Sequence, residues 1–551
     1  MLLSTLALVA WLPAEAQVRV PDAGGAIRDI EATQPALPAP ADKVDLDLPP
    51  VDQPRAATDT SGIRLRVKAF VIQGNQVFSS EALQQLLADL PGHELDLNGL
   101  RAAAERITAY YREHGYILAR AFLPAQEIDA GVVQIEVMEG RYGHIELHNA
   151  SPALDRVMRG PLSALDSGSA VRSADLERSL LLLNDLPGVK AKGTLRAGQQ
   201  PGTTDLRVDA QPGPWASGSL EADNFGGYHT GEYRLGGSFN LNNPLRLGDR
   251  LSLRVLGSDR DQRYLRSAYQ LPLGPRSTRV GAAYSQMDYE LTRKRIKRLE
   301  MNGRARVQSV FIVQPLVRSR GFDLSAQLQY ENKHLRDDID LFELRRRKHI
   351  ELWTLSLDGS RQDPWLGGGY SQFSLAYGSG QLRFDDPAQQ RADRHSAGTG
   401  GSFSRTNLQL ARTQRLGPRW FLRGQLHAQW AASNLDSSEK ISLGGPYGVR
   451  GYPLSAGAGD QGWLAGLELG YALTARWQLS LFTDRGYVEI NRLPWTDEAN
   501  TQRLQSAGLG ARWAGDRRQL SLSSAWPLDG HRAGDGPQRL PRVWVSAAQY
   551  F

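Results

Sequence analysis

Two short segments of this 551-residue chain carry an arginine and a carboxylate in places where each could find the other. Gly448-Val449-Arg450-Gly451-Tyr452 falls in the middle of a long loop, between two stretches that alternate apolar and polar residues. Phe482-Thr483-Asp484-Arg485-Gly486 lies one strand later, on a segment where Trp477, Leu479 and Leu481 share a face. Parity then sends Gln478, Ser480, Phe482 and Asp484 to the opposite face. A guanidinium is a planar fork that grips a carboxylate with two parallel hydrogen bonds. In a partly dry channel such a pair fixes geometry more than it adds net stability. The spacing predicts a latch in which Arg450, on a loop folded into a pore, holds Asp484 on the wall. Gly444-Gly445-Pro446-Tyr447-Gly448 supplies the tight reversal the loop needs. Arg485 takes the outward parity and reads as an interfacial anchor.

Other chemistry is missing from the sequence. It contains no GxSxG, no HExxH and no GxxxxGK[ST], and its ten histidines form no ligand-spaced cluster. The reading is therefore no enzyme, no metal, no cofactor and no ATP. Cysteine is absent, which excludes disulfides and thiolate sites. A net charge of +6 with both signs interspersed argues against nucleic acid as a partner.

The elements that must position the latch are strands of a membrane barrel. Mean hydropathy is −0.42 and no long apolar run occurs, so helical spans are excluded while a barrel is not. From Trp215 onward, segments of about ten residues alternate in character. Trp420, Leu422, Leu426 and Trp430 share one face opposite Arg423, Gln425, His427 and Gln429. Ten residues rise ~33 Å along a strand, or about 25 Å at a ~40° tilt, which matches an apolar band between aromatic girdles. Counting back from Phe551 places sixteen antiparallel strands, from 215–223 to 542–551, in residues 213–551. Short turns bearing Pro244, Pro272, Pro315 and Pro364 alternate with longer loops. Two of those loops carry Arg293–Arg298 and Arg345–Lys348, basic clusters that could meet lipopolysaccharide phosphates.

Upstream, residues 1–16 read as a signal peptide, with Leu2–Leu12 apolar and Ala14-Glu15-Ala16 at the cleavage site. Residues 17–60 combine a short helix, Asp22 to Gln34, with a proline-rich extended linker. The helix is a candidate plug, because a barrel of this size would leak unless filled. Residues 61–141 and 142–212 repeat the order β-α-α-β-β, an internal duplication. In the first unit Leu65, Val67, Ala69 and Val71 are expected to form the inward face, with Tyr110, Tyr111 and Tyr116 on or beside the core.

Four segments in order resemble the two-partner secretion transporters, the TpsB family of haemolysin and haemagglutinin exporters. They are Gly115-Tyr116-Ile117-Leu118-Ala119-Arg120 with Leu123-Pro124-Ala125-Gln126, then Leu181–Gly188, and the two latch segments. The resemblance spans nearly everything after the signal. It implies that the two small units are POTRA domains in the periplasm and that the barrel lies in the bacterial outer membrane. The implied client is an unfolded exoprotein with an N-terminal secretion domain, moved without ATP. Further implied partners are outer-membrane lipids and, during biogenesis, the barrel assembly machinery; the transporter is expected to be a monomer. A barrel-inserting assembly factor is the alternative, since such factors also carry an arginine-glycine loop motif.

Overall fold

The computed structural model describes residues 22–32, 45–47, 64–128, 130–291, 300–454, 456–529 and 537–551. The signal segment, most of the linker and the Arg293–Arg298 cluster lie outside the described residues. Sixteen antiparallel strands close into one barrel, from Ala216–Asp223 round to Arg542–Tyr550. Every one of the sixteen strands expected from alternation is present, most of them longer than expected. The barrel closes where Ser219–Asp223 pair with Ser546–Tyr550, and Gly218 and Phe551 exchange backbone hydrogen bonds of 3.1 Å.

Parity behaves as the alternation requires. Trp420, Trp430, Trp477, Leu479 and Leu481 are exposed on the outer wall, where lipid would cover them, while Phe482 and Asp484 are buried inside. No helix is long and apolar enough to cross a membrane among the described residues. Pro315 departs from expectation: it lies inside strand Met301–Arg318, at a bulge between Pro315 and Val317, and not in a turn. A bulge is where a strand tolerates the missing N–H.

The second basic cluster also departs from expectation. Arg345–Lys348 is not a loop but the first turn-proximal part of strand Leu344–Asp363. Strand parity splits the four residues between the two faces. Arg345 and Arg347 point outward, while Lys348 points into the lumen and ion-pairs with Asp436. The sequence pattern missed this because charged residues above the membrane need not alternate with apolar ones.

Both small units show the duplicated order. In the first, strand Ala69–Gln73 runs parallel to Val132–Met138, which pairs antiparallel with Arg120–Phe122. Helices Ser80–Gln85 and Leu97–Glu113 pack on this sheet, Leu97–Glu113 capped by Asp96. The inward face differs from expectation: Val67, Phe70 and Ile72 are buried, whereas Ala69 and Val71 are exposed. The strand breaks after Arg66, where Val67 N–H donates to His93 and Lys68 N–H to Gly131, and the break shifts the parity by one. Tyr111 is fully enclosed against Phe78 and donates to Glu139, so it is a core residue.

In the second unit, helices Asp155–Leu162 and Ser173–Asn184 cover a sheet of Arg141–Asn149, Thr203–Pro212 and Val189–Ala197. A linker segment, Asp45–Asp47, adds a parallel fourth strand beside Lys192–Thr194. That part of the linker is therefore not a free tether. The unit docks on the barrel's periplasmic rim through Asp185 and Arg318, paired at 2.8 and 2.9 Å, and through Arg178, which donates to the carbonyls of Pro315 and Leu316.

Candidate functional site

The lumen is filled by two pieces of chain. The first is the loop between strands Trp420–Ala431 and Gln461–Ala472, which folds back inside. A small ladder, Ile441–Ser442 with Ala458–Gly459, stiffens its stem. At the tip, Val449 N–H donates to Leu443 at 2.7 Å and Gly444 N–H to Ala456 at 2.9 Å, turning Arg450 toward the wall. Ile441, Leu443, Val449 and Tyr452 bury against Leu464, Val488 and Leu504 of the wall.

The structure brings Arg450 and Asp484 together. Arg450 Nε and Nη2 donate to the two oxygens of Asp484 at 2.9 and 2.8 Å, and the Arg450 backbone N–H adds a third bond at 3.1 Å. The Asp484 side chain is 0% exposed and that of Arg450 is 13% exposed, so the pair is screened from water. Phe482 lies under the guanidinium, with the Arg450 Cζ 3.2 Å from its ring centre. The tip of that ring covers Gly508, where a Cβ would sit 2.4 Å from Phe482 Cζ. Gly486 has a similar reason: a side chain there would strike Leu443 at 2.8 Å and hold the loop off the wall. Gly448 and Gly451 make close approaches to Leu443 and Ser506 respectively, and the Tyr452 hydroxyl donates to Asp529.

Three participants escaped the sequence reading. Glu468 accepts Arg450 Nη1 at 3.1 Å, Ser506 donates to Asp484 at 3.2 Å, and Trp544 Nε1 donates to the Arg450 carbonyl at 2.8 Å. Register could have found Ser506 directly, since it stands opposite Asp484, and Glu468 through its cross-strand partner Phe482. The carboxylates outnumber the arginine, and Arg423 approaches Glu468 at 3.7 Å. Arg485 stays outside the site, exposed on the outward parity as expected.

The second filling piece is helix Ala23–Ala32. Its apolar stripe, Ala23, Ala26, Ile27 and Ile30, packs on luminal Met287, Tyr289, Ala305, Leu335 and Leu352. Its start is held by charge. Ala23 N–H donates to Asp337 at 2.7 Å, Asp22 accepts Ser437 Oγ at 2.5 Å, and Lys348 stands 3.5 Å from Asp22. Arg28 donates to the Ser437 carbonyl at 2.8 Å. Gly24, which weakens an isolated helix, is what admits the loop: a Cβ there would meet Ser437 Oγ at 2.7 Å. Below this contact Glu439 binds Lys333 at 2.8 Å and Arg405 at 2.9 Å, tying the same loop to two further strands.

In the first small unit, Glu139 is a buried polar hub. It accepts the N–H groups of Gln76 and Val77 at 2.6 and 2.7 Å and the Tyr111 hydroxyl at 2.9 Å, and it pairs with Arg141 at 2.5 Å. Burial alone would raise its pKa, but these donors hold it below the ordinary carboxylate value.

Comparison with known proteins agrees with this geometry. The family described as haemolysin secretion/activation protein ShlB/FhaC/HecB matches residues 202–513, and a POTRA domain of ShlB type matches residues 65–140. The heme/hemopexin transporter protein HuxB of Haemophilus influenzae is 28% identical over 92% of this chain and 92% of its own length. The outer membrane transporter CdiB of Escherichia coli is 27% identical over 76% of this chain and 71% of its own. The solved structure of CdiB from Escherichia coli superposes with a TM-score of 0.72, at 22% identity, over 91% of this chain and 93% of that one. BamA from Haemophilus ducreyi, lacking POTRA domains 1–3, shares the fold at a TM-score of 0.52 and 14% identity, over 89% of this chain and all of that one.

Proposed function

Since this chain belongs to the haemolysin secretion/activation protein family, whose members are outer-membrane transporters of exoproteins, we propose that its lumen is the client's path and that loop and helix gate it. The observation that carries this reading is a closed barrel filled by side-chain contacts and not by its own wall. Such filling can be moved without opening a strand seam.

Capture begins in the periplasm, where an unfolded client with an N-terminal secretion domain adds as a strand to a sheet edge. Main-chain pairing asks little of client sequence. The edge at Lys192–Thr194 is taken by Asp45–Asp47, which leaves Ala69–Gln73, Arg120–Phe122 and Arg141–Asn149 as edge strands. The client then displaces helix Ala23–Ala32, while Arg450 keeps its loop registered on Asp484, Glu468 and Phe482. Folding of emerged segments outside supplies direction in place of ATP. The chain works as a monomer, and the barrel assembly machinery serves its biogenesis. An assembly factor shares the architecture, but the family match and the two small units favour export.

The test is co-expression with an exoprotein bearing such a secretion domain. Surface appearance should require this chain and should vanish when residues 64–212 are deleted from a barrel still present in the membrane. Equal export without those residues would contradict capture by the periplasmic units.

A further inference from the structure

Four neighbouring strands are the longest of the barrel. Met301–Arg318 and Phe322–Ile339 have 18 residues each, Leu344–Asp363 has 20 and Gly369–Phe384 has 16. On their outward face the apolar band ends at Tyr330 and Trp353, whose ring centres are 4.9 Å apart, with exposed Tyr377 beside them. Aromatic side chains of this kind mark the membrane interface. Above them every outward position turns polar.

The register gathers the basic ones into rows. Arg306 stands opposite His334, His334 opposite His349, and His349 opposite Arg383, one row across four strands. Two residues higher, Arg304 stands opposite Arg336 and Arg336 opposite Arg347. In the upper row three guanidiniums stand directly opposite one another, and like charges so opposed on one sheet face repel. Acidic neighbours relieve part of this. Asp288 pairs with Arg304, Asp338 with Arg336, and Asp385 with His349, while Glu351 faces the same way one row below and Glu290 one row above. Arg306, Arg347 and Arg383 are exposed and have no ion pair among the described residues.

From this placement we infer that the outward face of these strands binds the phosphates of an outer-leaflet glycolipid, with Arg306, Arg347 and Arg383 as the principal phosphate ligands. At a rise of ~2.6 Å per residue along a tilted strand, the two rows lie about 10 and 16 Å above the Trp353 level. A lipid whose acyl chains cover Trp353 and Leu355 necessarily presents its headgroup to these same strands. Each guanidinium can take a phosphate bidentately, which neutralises the repulsion that the register builds in. The assignment needs only a membrane-embedded barrel and stands apart from the gating of the lumen.

The test uses the full chain in detergent, with bis-phosphorylated lipid A and its dephosphorylated form as probes and pyrophosphate as competitor. Wild type should bind phosphorylated lipid A at least tenfold more tightly, and R306Q/R347Q/R383Q should lose that preference while keeping the heat-dependent gel shift of a folded barrel. Pyrophosphate at equal concentration should leave lipid binding intact. Equal binding of both lipids by wild type would overturn the inference even if the variant failed to fold. An unchanged preference in a folded variant, or displacement by equimolar pyrophosphate, would also overturn it.

Discussion

The loop around Arg450 and the helix Ala23–Ala32 occupy the same lumen but are held by different physics. The loop is continuous with the wall at both ends, and its tip concentrates one bidentate ion pair, one stacked ring and glycine close contacts. The helix belongs to a segment far upstream and rests on an apolar stripe, with polar contacts at its start and at Arg28. Removing one partner from the loop's latch strands a buried carboxylate, at a cost on the order of 3–5 kcal/mol. Sliding the helix out exposes its four-residue apolar stripe and the luminal side chains beneath it, and returns its charges to water. The contrast suits a fixed gate frame and a removable plug.

Arg450→Ala tests the frame most severely. Export should fall at least tenfold at unchanged membrane levels, and unaltered export would remove the arginine from the mechanism. Arg450→Asp with Asp484→Arg should recover part of the loss if direct pairing matters, although Glu468 would then face a new aspartate. For the plug, Asp22→Lys sets two ammonium groups against each other at Lys348 and should raise single-channel conductance severalfold; unchanged conductance would mean charge does not hold the helix.

Gly486→Val should be smaller, with ~1–3 kcal/mol of overpacking between wall and loop. Faster hydrogen exchange at 443–452 would report it, and exchange identical to wild type would refute the close packing. The mildest effect concerns Glu139. Its folded pKa lies below the ordinary 4.5, so its contribution is complete above that value and is lost as pH falls through the lower folded value. Exchange protection in residues 64–140 should therefore hold at neutral pH and drop below about pH 4.5, a drop that Glu139→Gln should remove.

Much of this was legible in the sequence for a physical reason. A membrane wall forces apolar residues onto every second position, so Trp477, Leu479 and Leu481 reveal where Phe482 and Asp484 point. The same parity could not place Lys348, because above the membrane both faces meet water or polar contacts. Nor could it foresee the shift at Val67, which follows from hydrogen bonds to His93 and Gly131 distant in sequence. Glu468 and Ser506 became visible only with strand register, since a latch is a property of neighbouring strands and not of one motif.

The absence of cysteine makes the central claim directly testable. Gly24→Cys with Ser437→Cys places two thiols where a Cβ on residue 24 already lies 2.7 Å from the Ser437 oxygen. Complete oxidation of this pair should stop export and reduction should restore it. Full export through a quantitatively cross-linked barrel would show that the client does not pass where the helix sits.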